Sequence, residues 1–219
     1  MTRKNETLFA DEPLGSNRVQ LGEGAVLLRG FLARERGALV EAVREISAEA
    51  PFRNMITPGG HRMSVAMTNC GEAGWVTDRT GYRYDRCDPL TRKPWPPMPK
   101  VFLYLASSAA AKAGFASFVP DVCLINRYQP GTRLSLHQDR DEHDYRQPIV
   151  SVSLGLAATF LFGGRERSQR PRRIRLESGD VAVWGGLTRL NFHGIAPLED
   201  GFDPLLGNYR INLTFRKAL

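Results

Sequence analysis

A chain of 219 residues with 42% hydrophobic content can bury the core of one domain and is too apolar for the disordered class. Thirty Lys and Arg against 23 Asp and Glu give a formal charge of +7 and a pI near 9.7, a balance that favours a polyanionic partner such as nucleic acid or anionic lipid without naming one. Cys70, Cys87 and Cys123 are odd in number and form no C-x-x-C pair, so they imply neither a disulfide framework nor a zinc knuckle and read as reduced thiols. The stretch from Met1 to Gly15 is polar and of mixed charge, without a signal-peptide core. No run reaches the ~18 apolar residues of a membrane span, so a cytoplasmic protein without a membrane partner is expected.

In chain order, Ala25 to Leu28 reads as a short strand. Ala33 to Ala50 reads as a helix with Leu39, Val40, Val43 and Ile46 on one face. A turn at Pro58-Gly59-Gly60 precedes an expected strand from Met63 to Thr68, a Gly-rich loop from Gly71 to Gly74 and a strand-like run from Trp75 to Tyr84. The Pro94 to Pro99 segment forbids regular structure and reads as an ordered loop; a second helix is expected from Lys100 to Ala113. Short β runs then follow at Val122 to Tyr128, Ile149 to Leu154, Thr159 to Phe162, Arg173 to Leu176, Val181 to Trp184 and Tyr209 to Phe215, separated by Gly-rich turns. That spacing predicts a mainly β, α+β fold: a jelly roll or related sandwich with helices packed outside, in one domain spanning 1–219.

His137 and Asp139 are separated by one residue, so on extended chain both point to the same side and can bind one ion. With His193 they make the 2-His-1-carboxylate set that holds Fe(II) and leaves positions open for a co-substrate and O₂. Zinc would be expected to show more Cys or His, and magnesium more carboxylates. Arg210 and Arg216 have an even separation, which on a strand puts both guanidiniums on one face with Asn212 and Thr214, while Ile211, Leu213 and Phe215 take the other. Two inward guanidiniums are costly unless paired, and a 2-oxoacid dicarboxylate would satisfy both, its distal carboxylate on Arg210.

Ordered runs extend beyond these residues: Cys123-Leu-Ile-Asn126-Arg-Tyr128, Leu134-Ser-Leu-His137-Gln-Asp139-x-Asp141-Glu142, Pro148-Ile-Val-Ser151-Val-Ser-Leu-Gly155, Gly179-Asp180-Val-x-Val-Trp184 and Tyr209-Arg210-Ile-Asn212-Leu-Thr-Phe-Arg216. Upstream stand Thr57-Pro-Gly-Gly, Met63-Ser-Val-Ala-Met67-Thr-Asn-Cys-Gly and Trp75 to Tyr84. Together, from about Gly24 to Lys217, they resemble the AlkB family of Fe(II)/2-oxoglutarate-dependent nucleic-acid dealkylases. The resemblance implies a double-stranded β-helix core at about 120–217 under a nucleotide-recognition lid at about 50–100. It implies Fe(II) on His137, Asp139 and His193, and 2-oxoglutarate on Asn126, Tyr128, Arg210, Asn212 and Arg216, with Ser151 and Trp184 lining that pocket. Substrate contacts would come from Trp75, Tyr82, Arg83, Tyr84, Met67, Thr57 and Asp141, with Arg167 on a phosphate. His61-Arg62, Asp78-Arg79 and the arginine-rich stretch from Arg165 to Arg175 depart from the family pattern and leave substrate preference open.

The implied reaction is oxidative decarboxylation of 2-oxoglutarate by O₂ to succinate and CO₂, with hydroxylation of an N-methyl carbon and loss of formaldehyde from the resulting hemiaminal. 1-Methyladenine and 3-methylcytosine are cations, which Asp141 can pair with and Trp75 can stack on. Their methyl groups lie on the pairing edge, so alkylated single-stranded DNA, or a flipped base in a duplex, is the expected substrate. Arg165, Arg167, Arg170, Arg172, Arg173 and Arg175 are candidates for a phosphate track, and a monomer suffices. The same chemistry on RNA or tRNA, a binding jelly roll without catalysis, and a metal-dependent isomerase or lyase remain as alternatives.

Overall fold

The computed structural model describes residues 17–32 and 34–219; the N-terminal stretch read above and Ala33, the first residue of the expected first helix, lie outside them. Among the described residues the order is β1 (Arg18–Gly22), β2 (Ala25–Leu28), α1 (Arg36–Glu49), β3 (Ala66–Gly71), β4 (Gly74–Asp78), β5 (Gly81–Asp85), α2 (Lys100–Lys112), β6 (Val122–Tyr128), β7 (Leu134–His137), β8 (Ile149–Gly155), β9 (Ala158–Phe162), β10 (Arg172–Leu176), β11 (Val181–Trp184), β12 (His193–Ile195) and β13 (Arg210–Arg216). Seven strands form one sheet in the order β1-β2-β11-β8-β13-β6-β3. Four form a second in the order β10-β9-β12-β7, and β4 and β5 make a hairpin of their own. Strand pairing is antiparallel throughout these sheets.

Alternation along the strands of the large sheet decides what each face does. Val150, Val152, Ile211, Leu213 and Phe215 face one way, into a core with Leu39, Val43 and Ile46 of α1 and Phe102, Leu105 and Ala109 of α2. The opposite face sends Leu124, Tyr128, Ile149 and Trp184 into a second core with Phe160, Phe162 and Ile195 of the small sheet. Each buried Leu, Ile or Phe in these layers contributes about 2 kcal/mol from removal of apolar surface from water. The central strands are therefore fixed from both sides, and the polar residues of β13 are held at the boundary between the two sheets.

Both helices form where the apolar spacing placed them, with ends set by neighbouring chemistry. α1 starts at Arg36 rather than Ala33, because the Leu32 amide donates to Gly179 O (3.1 Å) and the first helical bond runs from Leu39 N to Glu35 O. It stops before Pro51, whose ring disfavours helical geometry at Ala50. α2 closes with Gly114 at φ +99°; Phe115 N donates to Ala110 O and Gly114 N to Ala111 O, the two bonds of a Schellman stop. The Pro94 to Pro99 segment is tied down by Gly71 N donating to Pro96 O and Trp95 Nε1 to Asp85 O.

Two expectations need correction. The run from Trp75 to Tyr84 is not one strand: Asp78 accepts from the Thr80 amide at 2.8 Å and Gly81 adopts φ +134°, which turns the chain into the β4–β5 hairpin. The strand expected from Met63 to Thr68 instead begins at Ala66, where pairing with β6 starts. β1, β7 and β12 were not anticipated as strands; the last two have four and three residues, too few for a periodic signal.

Candidate metal and anion site

β12 pairs with β7 so that His193 lies directly opposite His137, with an irregularity before Ile195. Gly194 makes that approach possible, since a Cβ there would lie 2.6 Å from Leu134 O. The imidazole centroids are 4.4 Å apart. Each ring has its Nδ1 on a backbone carbonyl, Ser135 O at 2.9 Å and Asn191 O at 3.1 Å, which assigns the proton to Nδ1 and leaves the Nε2 lone pair free. Those Nε2 atoms stand 3.6 and 3.8 Å from Asp139 Oδ1, and one donor atom from each of the three residues lies within 4.8 Å of the others. Asp139 Oδ2 is occupied by Arg216, whose Nε and Nη2 donate at 3.0 and 2.8 Å. Burial, reinforced by His137, pulls His193 down to about 3, so it is a neutral ligand at pH 7. Burial opposes the charge on Asp139, but Arg216, His193 and His137 overcome it and hold the carboxyl well below the usual range. Two imidazoles offering Nε2 and one carboxylate oxygen on a single side fit Fe(II) with open positions.

Arg210, Asn212, Thr214 and Arg216 all point away from the helix-backed core, as their even spacing predicts. Asn212 Nδ2 donates to Ser151 Oγ and Val152 O, while its Oδ1 accepts from Thr214 Oγ1 at 2.9 Å. Arg210 is completely buried and its Nη2 donates to Ser153 Oγ at 3.0 Å. Its Nε and Nη1 have no partner among the described residues, nor have Arg216 Nη1, Trp184 Nε1 and Asn126 Oδ1. Burial pulls Arg210 from 12.5 down to about 10. It pushes the Tyr128 phenol up to about 12, so Tyr128 remains an O–H donor. Buried donors left without acceptors cost about 1–3 kcal/mol each, more when charged. Four donor atoms so placed fit a dicarboxylate.

A cavity of about 900 Å³ opens over this arrangement. Of the residues read as site candidates, fifteen line it and three do not: Arg83, Tyr84 and Arg210. Arg210 lies beside the lining, its guanidinium 5.9 Å from the Tyr128 ring. Arg83 is held within the hairpin by ion pairs with Asp78 and Asp85. Tyr84 donates its phenol to Glu142 Oε1 at 2.5 Å. Trp75 and Tyr82 stack at 5.7 Å with planes 20° apart at the cavity wall, and Trp75 Nε1 donates to Asp141 Oδ2 at 2.8 Å. Within the stretch from Arg165 to Arg175, Arg167 alone lines the cavity; Arg172 is spent on Leu21 O and Arg175 on Glu177. Arg62 of the His61-Arg62 pair lines the cavity too, as do Arg133 and Arg140, which the sequence did not single out.

Sequence reading also missed Arg189. It donates through Nη1 to Asp139 O, through Nε to Gln147 O and through Nη2 to Glu142, so it ties the loop carrying Asp139 to the segment leading to His193. No local pattern marks such a residue, because its partners lie far away in the chain.

The model of the 2OG-Fe(II) oxygenase superfamily matches residues 24–216. Over 211 residues the chain is 56% identical to the alpha-ketoglutarate-dependent dioxygenase AlkB of Salmonella typhimurium, covering 96% of this chain and 97% of that protein. The corresponding Escherichia coli dioxygenase is 55% identical with the same coverage. A solved structure of OsALKBH1 superposes with a TM-score of 0.81 at 29% identity, over 91% of this chain and 99% of the other.

Proposed function

Because the chain belongs to the 2OG-Fe(II) oxygenase superfamily and is an iron- and 2-oxoglutarate-dependent dioxygenase, we propose that it repairs DNA by oxidative demethylation of bases such as 1-methyladenine and 3-methylcytosine, preferring single strands. The observation that carries this reading is the set of unpartnered buried guanidinium atoms beside a three-donor metal cluster, in a cavity walled by stacked aromatics. His137, Asp139 and His193 hold the iron. Bound there, it supplies the O₂-dependent oxidation that splits 2-oxoglutarate to succinate and CO₂ and hydroxylates the N-methyl carbon.

The protein's own residues position the two reactants. Arg216, Asn126, Tyr128, Asn212 and Ser151 orient the co-substrate near the metal, Trp184 closes its pocket, and Arg210 takes the distal carboxylate. Thr57, Met67, Trp75 and Tyr82 receive the base, and Asp141 pairs with the positive charge of the methylated ring. Arg167 meets a neighbouring phosphate. Residues at about 50–100 act as a recognition lid over a jelly-roll core at about 120–217, in a single domain that works as a monomer. Burial of Asp139 and His193 leaves these two of the three residues that would hold the metal with little access to water.

The test is turnover on oligonucleotides of one sequence carrying 1-methyladenine as single-stranded DNA, duplex DNA or RNA. Formaldehyde in step with restored adenine, fastest on single-stranded DNA, is expected. Faster repair of RNA would move the substrate class. Succinate without repair of any of the three would overturn the demethylase reading and keep the dioxygenase.

A further inference from the structure

Resting on that reading, we infer that Tyr84 is a positioning residue which, through Glu142, couples the seat of the β4–β5 hairpin to the orientation of Arg216 and Asp139. Trp75 and Tyr84 are direct cross-strand partners, so they occupy one rung of the hairpin. Both side chains reach the loop that follows Asp139 and land on consecutive residues: Trp75 on Asp141 at 2.8 Å, and Tyr84 on Glu142 at 2.5 Å. The first tie is exposed at the cavity wall. The second enters a buried cluster of charge.

Glu142 Oε1, the atom that accepts the phenol, is also 3.2 Å from Arg216 Nε, and its Oε2 is 2.9 Å from Arg189 Nη2. Arg216 shares the same Nε with Asp139 Oδ2, and Arg189 donates to the Asp139 carbonyl at 2.6 Å. Two carboxylates thus face two guanidiniums, a balanced set that keeps its charges paired without the phenol. What the phenol adds is the mechanical link: it fixes the hairpin bearing the stacked Trp75–Tyr82 wall to the carboxylate that aims Arg216, whose Nη1 has no protein partner. A hairpin released from Glu142 presents the base poorly while the co-substrate is still consumed. Tyr84 is only part-buried and its ring packs beside Ala73, Val122 and Ala218, so removing the oxygen alone leaves that packing in place.

The experiment compares the unmodified protein with Tyr84→Phe and Glu142→Gln. In metal-free protein, Tyr84→Phe should raise hydrogen exchange of amides 74–85 by about tenfold, the weight of one hydrogen bond to a charged acceptor, with other segments unchanged. In turnover it should lower formaldehyde released per succinate and raise KM for the methylated oligonucleotide, leaving KM for 2-oxoglutarate unchanged. Glu142→Gln should raise KM for 2-oxoglutarate as well, because Arg216 loses a charged partner. Unaltered exchange and an unaltered product ratio in Tyr84→Phe would overturn the coupling, as would equal loss of both products at a constant ratio. If the unmodified protein releases no formaldehyde, the demethylase reading falls, while the exchange pattern and KM for 2-oxoglutarate still decide the role of Tyr84.

Discussion

Replacing Arg210 with Met should make the ligand-free protein more stable and leave it unable to bind 2-oxoglutarate. The guanidinium is fully buried, keeps one hydrogen bond to Ser153, and has two nitrogens without a protein partner. Burial lowers it from 12.5 to about 10, and at about 1.4 kcal/mol per pKa decade that is about 3 kcal/mol of strain which the protein alone carries at neutral pH. An apolar side chain of similar length removes that term and keeps most of the packing. A gain of about 1–3 kcal/mol corresponds to a rise of several degrees in Tm for a chain of this size. Thermal unfolding with and without 2-oxoglutarate, in the presence of redox-silent Mn(II), reads both effects. The unmodified protein should gain Tm on adding the co-substrate, and Arg210→Met should start higher and gain nothing. A variant that melts lower and still gains Tm with 2-oxoglutarate would refute the reasoning, because the guanidinium would then be a structural group.

Three further perturbations test other parts. Trp75→Leu should raise KM for the methylated oligonucleotide by roughly tenfold or more, since stacking on an aromatic contributes ~1–3 kcal/mol per base, and should leave substrate-free succinate formation unchanged; steady-state kinetics decide, and an unchanged KM contradicts the base seat. Gly194→Ala drives a Cβ to 2.6 Å from Leu134 O and should cost about 1–3 kcal/mol as β7 and β12 separate, lowering metal affinity in a Co(II) titration; retained affinity would mean that the opposition of His137 and His193 does not depend on that approach. Burial disfavours charge on Asp88, but Arg53 at 2.7 Å and the Leu90 amide overcome it and hold its carboxyl below the usual 3.8. A carboxylate lowered in the folded state adds stability above its unfolded pKa and loses it as pH falls through the folded value, so Asp88→Asn should be less stable at pH 7 and lose less stability below about pH 4. Parallel acid limbs in denaturant titrations of the two proteins would contradict this.

How much of this was legible in the sequence varies with the range of the interaction. Alternation along Arg210 to Arg216 was enough to separate the helix-backed residues from the polar set, because a strand's period is local. The helices announced themselves by apolar spacing, and the pairing of His137 and Asp139 by their separation. Three-residue β12 left no periodic trace, and its register opposite β7 depends on Gly194, whose role appears only when two strands meet. Tyr84 was grouped with the substrate contacts by the family resemblance; it shares a hairpin face with Tyr82, but two rungs further along that face meets Glu142 instead of the cavity. Glu142 and Arg189 are paired by tertiary packing, which no single-sequence pattern records. The hairpin turn at Asp78 to Gly81 was readable, since Asp and Gly flank it, but the aromatics around it argued for a continuous strand.

The most direct test of the account is an anaerobic titration in which Fe(II), then 2-oxoglutarate, is added to the protein while the metal-to-2-oxoacid charge-transfer absorption is followed. One equivalent of each should give the band, His193→Ala should abolish it at the metal step, and Arg210→Met should abolish it at the co-substrate step. A band that survives either substitution, or none in the unmodified protein, would contradict a site in which His137, Asp139 and His193 hold iron beside Arg210 and Arg216.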